Sequence, residues 1–418
     1  MKINGKSTLE FLLMLQIILL SGTLYFSYRL MLYLLGISFC IYIIFYGLSL
    51  KRGNIIKLLI LLIVLFIQYW TTNLNGVNFK DILSIAYLLI AVCFYQSSVE
   101  KNRFYDHYLK IILLISVISL FCFILINVFG INQLPFEKAS FSGISQHKVT
   151  PYYTLGIDQY NTLDGFRIDN NEIGYKRNSG IFWEPGAFQA FLNIAFLMLS
   201  DKIINNRKQN VSSKKDLLSI IIISLTLITT QSTTGYFIWL GILFYTMFKN
   251  NKGISKKIFV RLLILTILLV GVISLTPFHD VVINKFFHQE GSYSTRQNDN
   301  IESFKMFFEN PIWGFGYNSL TYSLEEARHG IYQNSSGIGL LFVMFGGLFG
   351  ITYLTLLFKG LRKFFNFNVI LIFSIFLIFH ATEWFIFKPF FIVFLFNFKG
   401  IKNIKMNYTK KQPQIIKL

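Results

Sequence analysis

Acidic charge, cysteine chemistry and metal-binding patterns are what this chain has little of. Asp and Glu number 20 against 39 Lys and Arg, and charged residues make up only 14% of the 418 positions. Cys40, Cys93 and Cys122 all lie inside apolar runs. With no CxxC or Cys/His spacing among them, they support neither a zinc site nor a disulfide framework and read as small core residues. No Asp-x-Asp pair or His/carboxylate cluster marks a metal-dependent transferase, so no metal and no cofactor is expected. Gly314-Phe-Gly316 is not a nucleotide loop, because no Lys-Ser/Thr follows it and no strand precedes it.

What is present is apolar: 54% of residues are hydrophobic and 17% aromatic. Runs of about 20 apolar residues, the length needed to span a bilayer, recur along the chain. They predict an all-α polytopic membrane protein of about 12 transmembrane helices. The spans fall near residues 9–28, 30–50, 55–70, 81–98, 109–131, 181–200, 216–231, 235–248, 258–277, 336–357, 367–381 and 385–398. The first span leads directly into a second and lacks a clear small-residue cleavage site, so it is expected to be retained.

A net charge of +19 would suggest nucleic acid in a soluble protein. With the amino terminus inside, however, most Lys and Arg fall in cytoplasmic segments, among them Lys51-Arg52, Lys101/Arg103, Lys214-Lys215, Lys256-Lys257 and Arg362-Lys363. The charge therefore follows the positive-inside rule, and nucleic-acid binding has no remaining support. The organisation expected is amino-terminal helices over 1–131, a first large outer loop at 132–180 and central helices at 181–277. A second large outer loop at 278–335, carboxy-terminal helices at 336–398 and a basic cytoplasmic tail at 399–418 complete it.

The two outer loops hold most of the acidic residues, which points to an outward-facing working surface. In the first, Phe166/Ile168 and Ile173/Tyr175 alternate around Asn170-Asn171 and predict a short hairpin. Asp169-x-Asn171-x-x-Gly174 has the start of a calcium loop, but Ile173 occupies a ligand position and no closing glutamate follows. In the second, Ile301, Phe304, Phe307 and Phe308 recur at helical spacing. They predict an amphipathic helix ending before Pro311, with its apolar stripe resting on the bundle, then a turn at Gly314–Gly316. Gly346 and Gly350 predict close helix packing, and Thr229–Thr234 a tight turn.

Four segments carry a resemblance: Arg177-Asn-Ser-Gly-Ile-Phe-Trp-Glu-Pro-Gly186, Glu309-Asn-Pro-Ile-Trp-Gly-Phe-Gly316, Asn334-Ser-Ser-Gly337 and Gly346-Gly-Leu-Phe-Gly350. Together they resemble the bacterial O-antigen polymerase and ligase families over about residues 130 to 350. The resemblance implies a membrane glycosyltransferase that moves a glycan from an undecaprenyl diphosphate carrier to a sugar hydroxyl, at the outer face of the bacterial cytoplasmic membrane. The implied partners are undecaprenyl-diphosphate-linked donor and acceptor glycans and membrane lipids, with a chain-length regulator and a flippase as further ones. Similar ligases place a histidine where this chain has Gln333-Asn334-Ser335-Ser336, and its nearest histidine is His329. That departure favours polymerase over ligase.

Breaking a sugar–phosphate bond leaves a diphosphate, which fixed cations must hold, and arginine's planar fork suits phosphate oxygens. Arg177 and Arg296 lead, with Arg167, Lys176 and Arg328 beside them; a loop salt bridge is the alternative for each. An acceptor hydroxyl needs a base within hydrogen-bond reach. Glu184 leads, beside Pro185 in a first-turn position; the competing reading is helix-start electrostatics. His329 is the second candidate, against a solvated loop histidine. His380 and Glu383 lie at i, i+3 near the same outer cavity, against an interfacial turn with Trp384 and Lys388. Trp183, Tyr152, Tyr153 and Trp313 are candidates for the glycan or lipid, against ordinary belt aromatics.

Two other classes compete. A flippase for lipid-linked oligosaccharides should carry charge in a central cavity, whereas these spans are nearly free of ionisable residues. A non-catalytic assembly partner would not need Arg177 and Glu184 at a helix start.

Overall fold

A computed structural model describes residues 5–23, 28–48, 50–127, 129, 137–141, 145–150, 153–158, 177–207, 214–249, 292–331, 334 and 336–399. The first five helices are α1 (Gly5–Leu20), α2 (Tyr28–Tyr46), α3 (Arg52–Thr72), α4 (Phe79–Ser98) and α5 (Lys101–Asn127). A small antiparallel sheet follows, β1 (Glu137–Phe141), β2 (Ser145–Thr150) and β3 (Tyr153–Asp158), in the order β1-β2-β3. Then come α6 (Pro185–Arg207), α7 (Lys214–Thr229), α8 (Thr233–Phe248), α9 (Ser292–Glu309), α10 (Leu320–Arg328), α11 (Gly337–Phe364), α12 (Val369–Thr382) and the single turn α13 (Pro389–Ile392). The membrane part is helical, and the sheet is an addition that the all-α expectation did not contain.

Among the described residues, six helices are long and apolar enough to cross a membrane: α2, α3, α4, α5, α6 and α11. α12 is shorter, and α1, α7 and α8 have 16 residues each. The span expected near 258–277 and the hairpin and calcium-like pattern around Asn170-Asn171 lie outside the described residues, as does the tail beyond Lys399.

Successive helices run in opposite directions, and their ends sort into two sets. At one end Lys101 pairs with Asp201, and the Lys399 amide donates to the Val99 carbonyl. This basic end also holds Lys51, Arg52, Arg103, Arg362 and Lys363. At the other, the loop end, the Trp183 amide donates to the Gly22 carbonyl and the Asn178 amide to the Thr229 carbonyl.

The expected span near 385–398 is not one helix. After α12 the chain makes a turn, the single helical turn α13, a 3-10 turn at Val393–Leu395 and an extended exit, with Phe385 to Phe396 almost wholly buried apart from Lys388. Such irregular backbone is tolerated at membrane depth only where protein surrounds it and satisfies its polar groups. Here the Asn54 side chain both donates to the Asn397 carbonyl and accepts from the Asn397 amide, each at 2.8 Å. Lys57 reaches the Leu395 carbonyl at 2.6 Å, and Lys51 reaches that of Phe398.

α11 is broken at Gly346, whose φ of 73° and ψ of 174° leave the helix. A break frees backbone donors and acceptors that must find other partners. The Asn310–Gly316 turn supplies them: Phe315 and Gly316 amides donate to the Val343 and Met344 carbonyls, and the Gly347 amide donates to that of Pro311 at 2.7 Å. Gln68 Nε2 adds bonds to the Met344 and Trp313 carbonyls. A Cβ at Gly346 would run into the Ile312 carbonyl, and Gly314 lies at φ 69° against the same helix. The two glycine-rich motifs are halves of one backbone clasp, so Gly346 serves a kink rather than the helix packing expected of it.

α9 forms where the spacing predicts it, but only part of its apolar stripe rests on the bundle. Phe307 packs edge-on against Phe342 of α11, whereas Ile301, Phe304 and Phe308 are exposed, and Asp299, Ser303 and Met306 are buried. In a membrane protein the apolar face has lipid as a second solvent, so amphipathicity alone does not say which face packs on protein.

Candidate functional site

At the loop end, Arg177 donates from Nε to the Thr230 carbonyl and from Nη2 to the Gln231 carbonyl, both at 3.1 Å. These carbonyls belong to the α7–α8 turn, which is tight enough to hold Gln231 at φ 51°. A guanidinium there satisfies the carbonyl-rich carboxy-terminal end of α7. Asn178, fully buried, donates to Thr229 Oγ1 at 2.9 Å and to Ser119 Oγ at 3.4 Å, and accepts from the Gly180 amide. The Arg-Asn pair thus fastens the chain before α6 to α5 and to the α7–α8 turn.

Glu184 directly precedes Pro185, the first residue of α6. Its Oε1 accepts from the Trp183 indole N–H at 3.1 Å. The Lys388 ammonium sits over the Trp183 ring, 5.1 Å from its centroid, a cation–π arrangement. Gly186 explains the last letter of the Trp-Glu-Pro-Gly motif. A Cβ there would stand 2.6 Å from Glu383 Oε1 and 3.7 Å from Glu184 Cδ, so the two carboxyl groups flank the first turn of α6 and a larger residue would push the Glu383 carboxyl aside.

Glu383 is buried at the end of α12, and Lys388 lies five residues further on, before α13. The Glu383 carboxyl lies near enough to the Lys388 ammonium for the two to interact electrostatically. Two carboxyls, an ammonium and an indole therefore meet at one mouth of the bundle. Beside them opens a cavity of about 170 Å³ lined by Tyr28, Asp81, Ser84, Tyr317, Trp384 and Lys388, with Ile85, Leu88 and Phe387 behind.

The remaining candidates are dispersed. His329 Nδ1 lies 2.9 Å from Glu302 and Nε2 3.2 Å from Glu309, while Arg328 pairs with Glu325 at 2.9 Å and Glu309 at 3.2 Å. They form a charge network that ties α9 to α10, so His329 is no isolated loop histidine. Lys305 and then His329 hold the Glu302 carboxyl below the usual range. Trp313 is half-buried in the clasp. Arg296 lies on α9 and Tyr153 opens β3, with their side chains outside the description; Arg167, Lys176 and Tyr152 lie outside the described residues. His380 is buried beside the rings of Tyr353 and Phe391 and does not line the cavity.

Residues 218–355 match the O-antigen ligase family model. No curated protein and no solved structure matches. The family comprises membrane enzymes that act on lipid-linked glycans, and the match agrees with the polymerase and ligase resemblance. The matched stretch contains most of α7, then α8 to α10, the clasp and the first two-thirds of α11, with Arg296, Trp313, Arg328 and His329. Arg177, Glu184, Glu383 and Lys388 lie outside it. A membrane protein thus carries a stretch similar to O-antigen ligases, flanked on either side by Glu184 and by Glu383 and Lys388.

Sequence reasoning set Glu383 near the outer cavity with His380 and left Lys388 to an interfacial turn, but did not bring either to Gly186 and Trp183, which are about two hundred residues away along the chain. The signal available was two ionisable residues interrupting the aromatic-rich carboxy-terminal apolar run, where charge is costly without a use.

Proposed function

We propose that this protein polymerises lipid-linked oligosaccharide repeat units into a surface polysaccharide of the O-antigen or capsule kind, at the outer face of the bacterial cytoplasmic membrane. In each cycle an acceptor sugar hydroxyl attacks the anomeric carbon of a glycan carried on undecaprenyl diphosphate. The new glycosidic C–O bond forms as the anomeric carbon–phosphate oxygen bond breaks. Glu184 takes the hydroxyl proton, and undecaprenyl diphosphate leaves with the bonding electrons.

The observation that carries this reading is the convergence of Glu184, Glu383 and Lys388 around Trp183 at the end of the bundle opposite the basic clusters. A carboxylate beside a helix start can serve as base once its surroundings are desolvated. Trp183 fixes its orientation, and Lys388 and Arg296 supply positive charge for the diphosphate. Arg177 acts by holding the α7–α8 turn in place. Arg167 and Lys176 are further candidates for the diphosphate, and Arg328 and His329 act through the α9–α10 network.

The family description itself favours a second reading, transfer of a finished glycan to a different lipid acceptor. The chain lacks the ligase-like histidine before α11, where Asn334 and Ser336 instead build the helix cap. Purified protein given only a lipid-linked repeat unit should build a ladder of products. A single transfer that requires a separate lipid acceptor would establish the ligase reading instead. If stably inserted Glu184→Gln, Lys388→Met and Arg296→Ala variants all retain the wild-type rate, the site is elsewhere.

A further inference from the structure

We propose that the cavity between α2, α4 and the 384–388 segment is a sugar-binding subsite that seats the terminal, phosphate-free sugar of the acceptor glycan. The proposal rests on the glycosyl-transfer reading and assigns a role to residues outside the reacting cluster. The walls come from three distant parts of the chain. Tyr28 begins α2, Asp81 and Ser84 lie in the first turns of α4, and Tyr317, Trp384 and Lys388 close the opposite side. Aromatic faces with a few convergent donors and acceptors are the usual composition of a small polar-ligand pocket. Here a carboxylate, two phenols, a hydroxyl and an ammonium offer both, in the mixed pattern a polyol ring needs.

Charge decides between a sugar and the diphosphate. The Asp81 carboxylate lies near enough to the Tyr28 and Tyr317 phenols for all three oxygens to interact electrostatically. Asp81 and Lys388 give the walls one charge of each sign, so a neutral ring meets no net field there, whereas a diphosphate must bring negative charge against Asp81 in a partly desolvated site. A donor's first sugar brings its diphosphate within one bond of the ring, so the same repulsion disfavours it. The far end of an acceptor glycan carries no phosphate and meets no such penalty. The cavity also shares Lys388 with the reacting cluster, where that ammonium covers Trp183 and so borders Glu184. A sugar seated there lies beside the proposed base.

The test uses the full-length protein in nanodiscs and the free repeat-unit oligosaccharide released by mild acid from its lipid carrier. Saturation-transfer NMR should show saturable binding that inorganic diphosphate does not displace. Asp81→Asn and Tyr317→Phe should each weaken it about tenfold, as expected when a hydrogen bond to a ligand is removed. Both changes are near-isosteric; if Asp81→Asn does not fold, Tyr317→Phe carries the decision. Wild-type affinity in the folded variants, or displacement of the oligosaccharide by diphosphate, overturns the subsite. Chain growth assayed on the same samples separates the two claims. Growth that persists with Asp81-independent glycan binding sinks the subsite alone, whereas Asp81-dependent binding without growth sinks only the polymerase reading.

Discussion

The two ends of the bundle treat buried charge differently. At the basic end Asp201 and Asn54 are each held by several partners. Asp201 accepts from Lys101 at 3.3 Å and from the Tyr105 hydroxyl and the Asn366 amide at 3.0 Å each. Asn54 likewise engages Ser97 and both sides of the Asn397 peptide. At the loop end, Lys388 lines a cavity and meets the face of an indole, with no carboxylate within ion-pair distance among the described residues, and Glu184 accepts from that indole's N–H. Buried charge is retained at low cost when it is fully partnered, as at the basic end. Where its hydrogen-bonding capacity stays in reserve next to open space, a ligand is the natural claimant. The difference marks the basic end as a staple for the irregular 385–399 segment and supports placing the proposed chemistry at the loop end.

The sharpest break of this comparison comes from exchanging the two ends' phenotypes. Glu184→Gln should lower chain growth by about 10²- to 10⁴-fold, the usual worth of a general base. Its thermal midpoint should stay close to wild type; a large fall in stability with unchanged specific activity would place Glu184 among the structural groups. The reverse is expected at the basic end. Asp201→Asn leaves Lys101 and the Tyr105 hydroxyl poorly matched and should cost about 3 kcal/mol. Thermal unfolding in detergent would read that loss, with turnover per folded molecule unchanged.

A smaller effect sharpens the role of Lys388. Lys388→Met should weaken the apparent affinity for lipid diphosphate about tenfold, and Lys388→Arg should largely restore it, because a guanidinium keeps the positive charge; wild-type affinity in Lys388→Met would remove Lys388 from the diphosphate. The smallest effect is expected at Arg328, whose pairs with Glu309 and Glu325 are exposed. Arg328→Ala should change stability by less than about 1 kcal/mol and leave turnover near wild type. A large loss would promote the α9–α10 network to part of the site.

Local pattern made some of this legible. The spacing of Ile301, Phe304, Phe307 and Phe308 found α9 but not its facing, because hydrophobic periodicity cannot distinguish lipid from protein interior. Asn310-Pro-Ile-Trp-Gly-Phe-Gly316 and Gly346-Gly347 stood out as motifs, yet nothing local says that one turn repairs the broken backbone of the other. The run at 385–398 is apolar enough to read as a span. Its helix fails where Asn54, Lys57 and Lys51, all far away in sequence, offer its carbonyls better partners.

The sequence by itself determined the membrane class, through apolar runs too long for a soluble core, and singled out the Arg177–Gly186 segment, through charge placed at a helix start. Tertiary structure alone decided where that segment's residues turn. Arg177 turns to the α7–α8 carbonyls, while Glu184 accepts from the Trp183 indole and Lys388 covers that indole's face. The Glu383 carboxyl fills the space beside Gly186. A one-dimensional pattern records which residues can bear charge at a membrane edge, but the desolvation and partners that make a charge structural or reactive come from segments that only folding brings together.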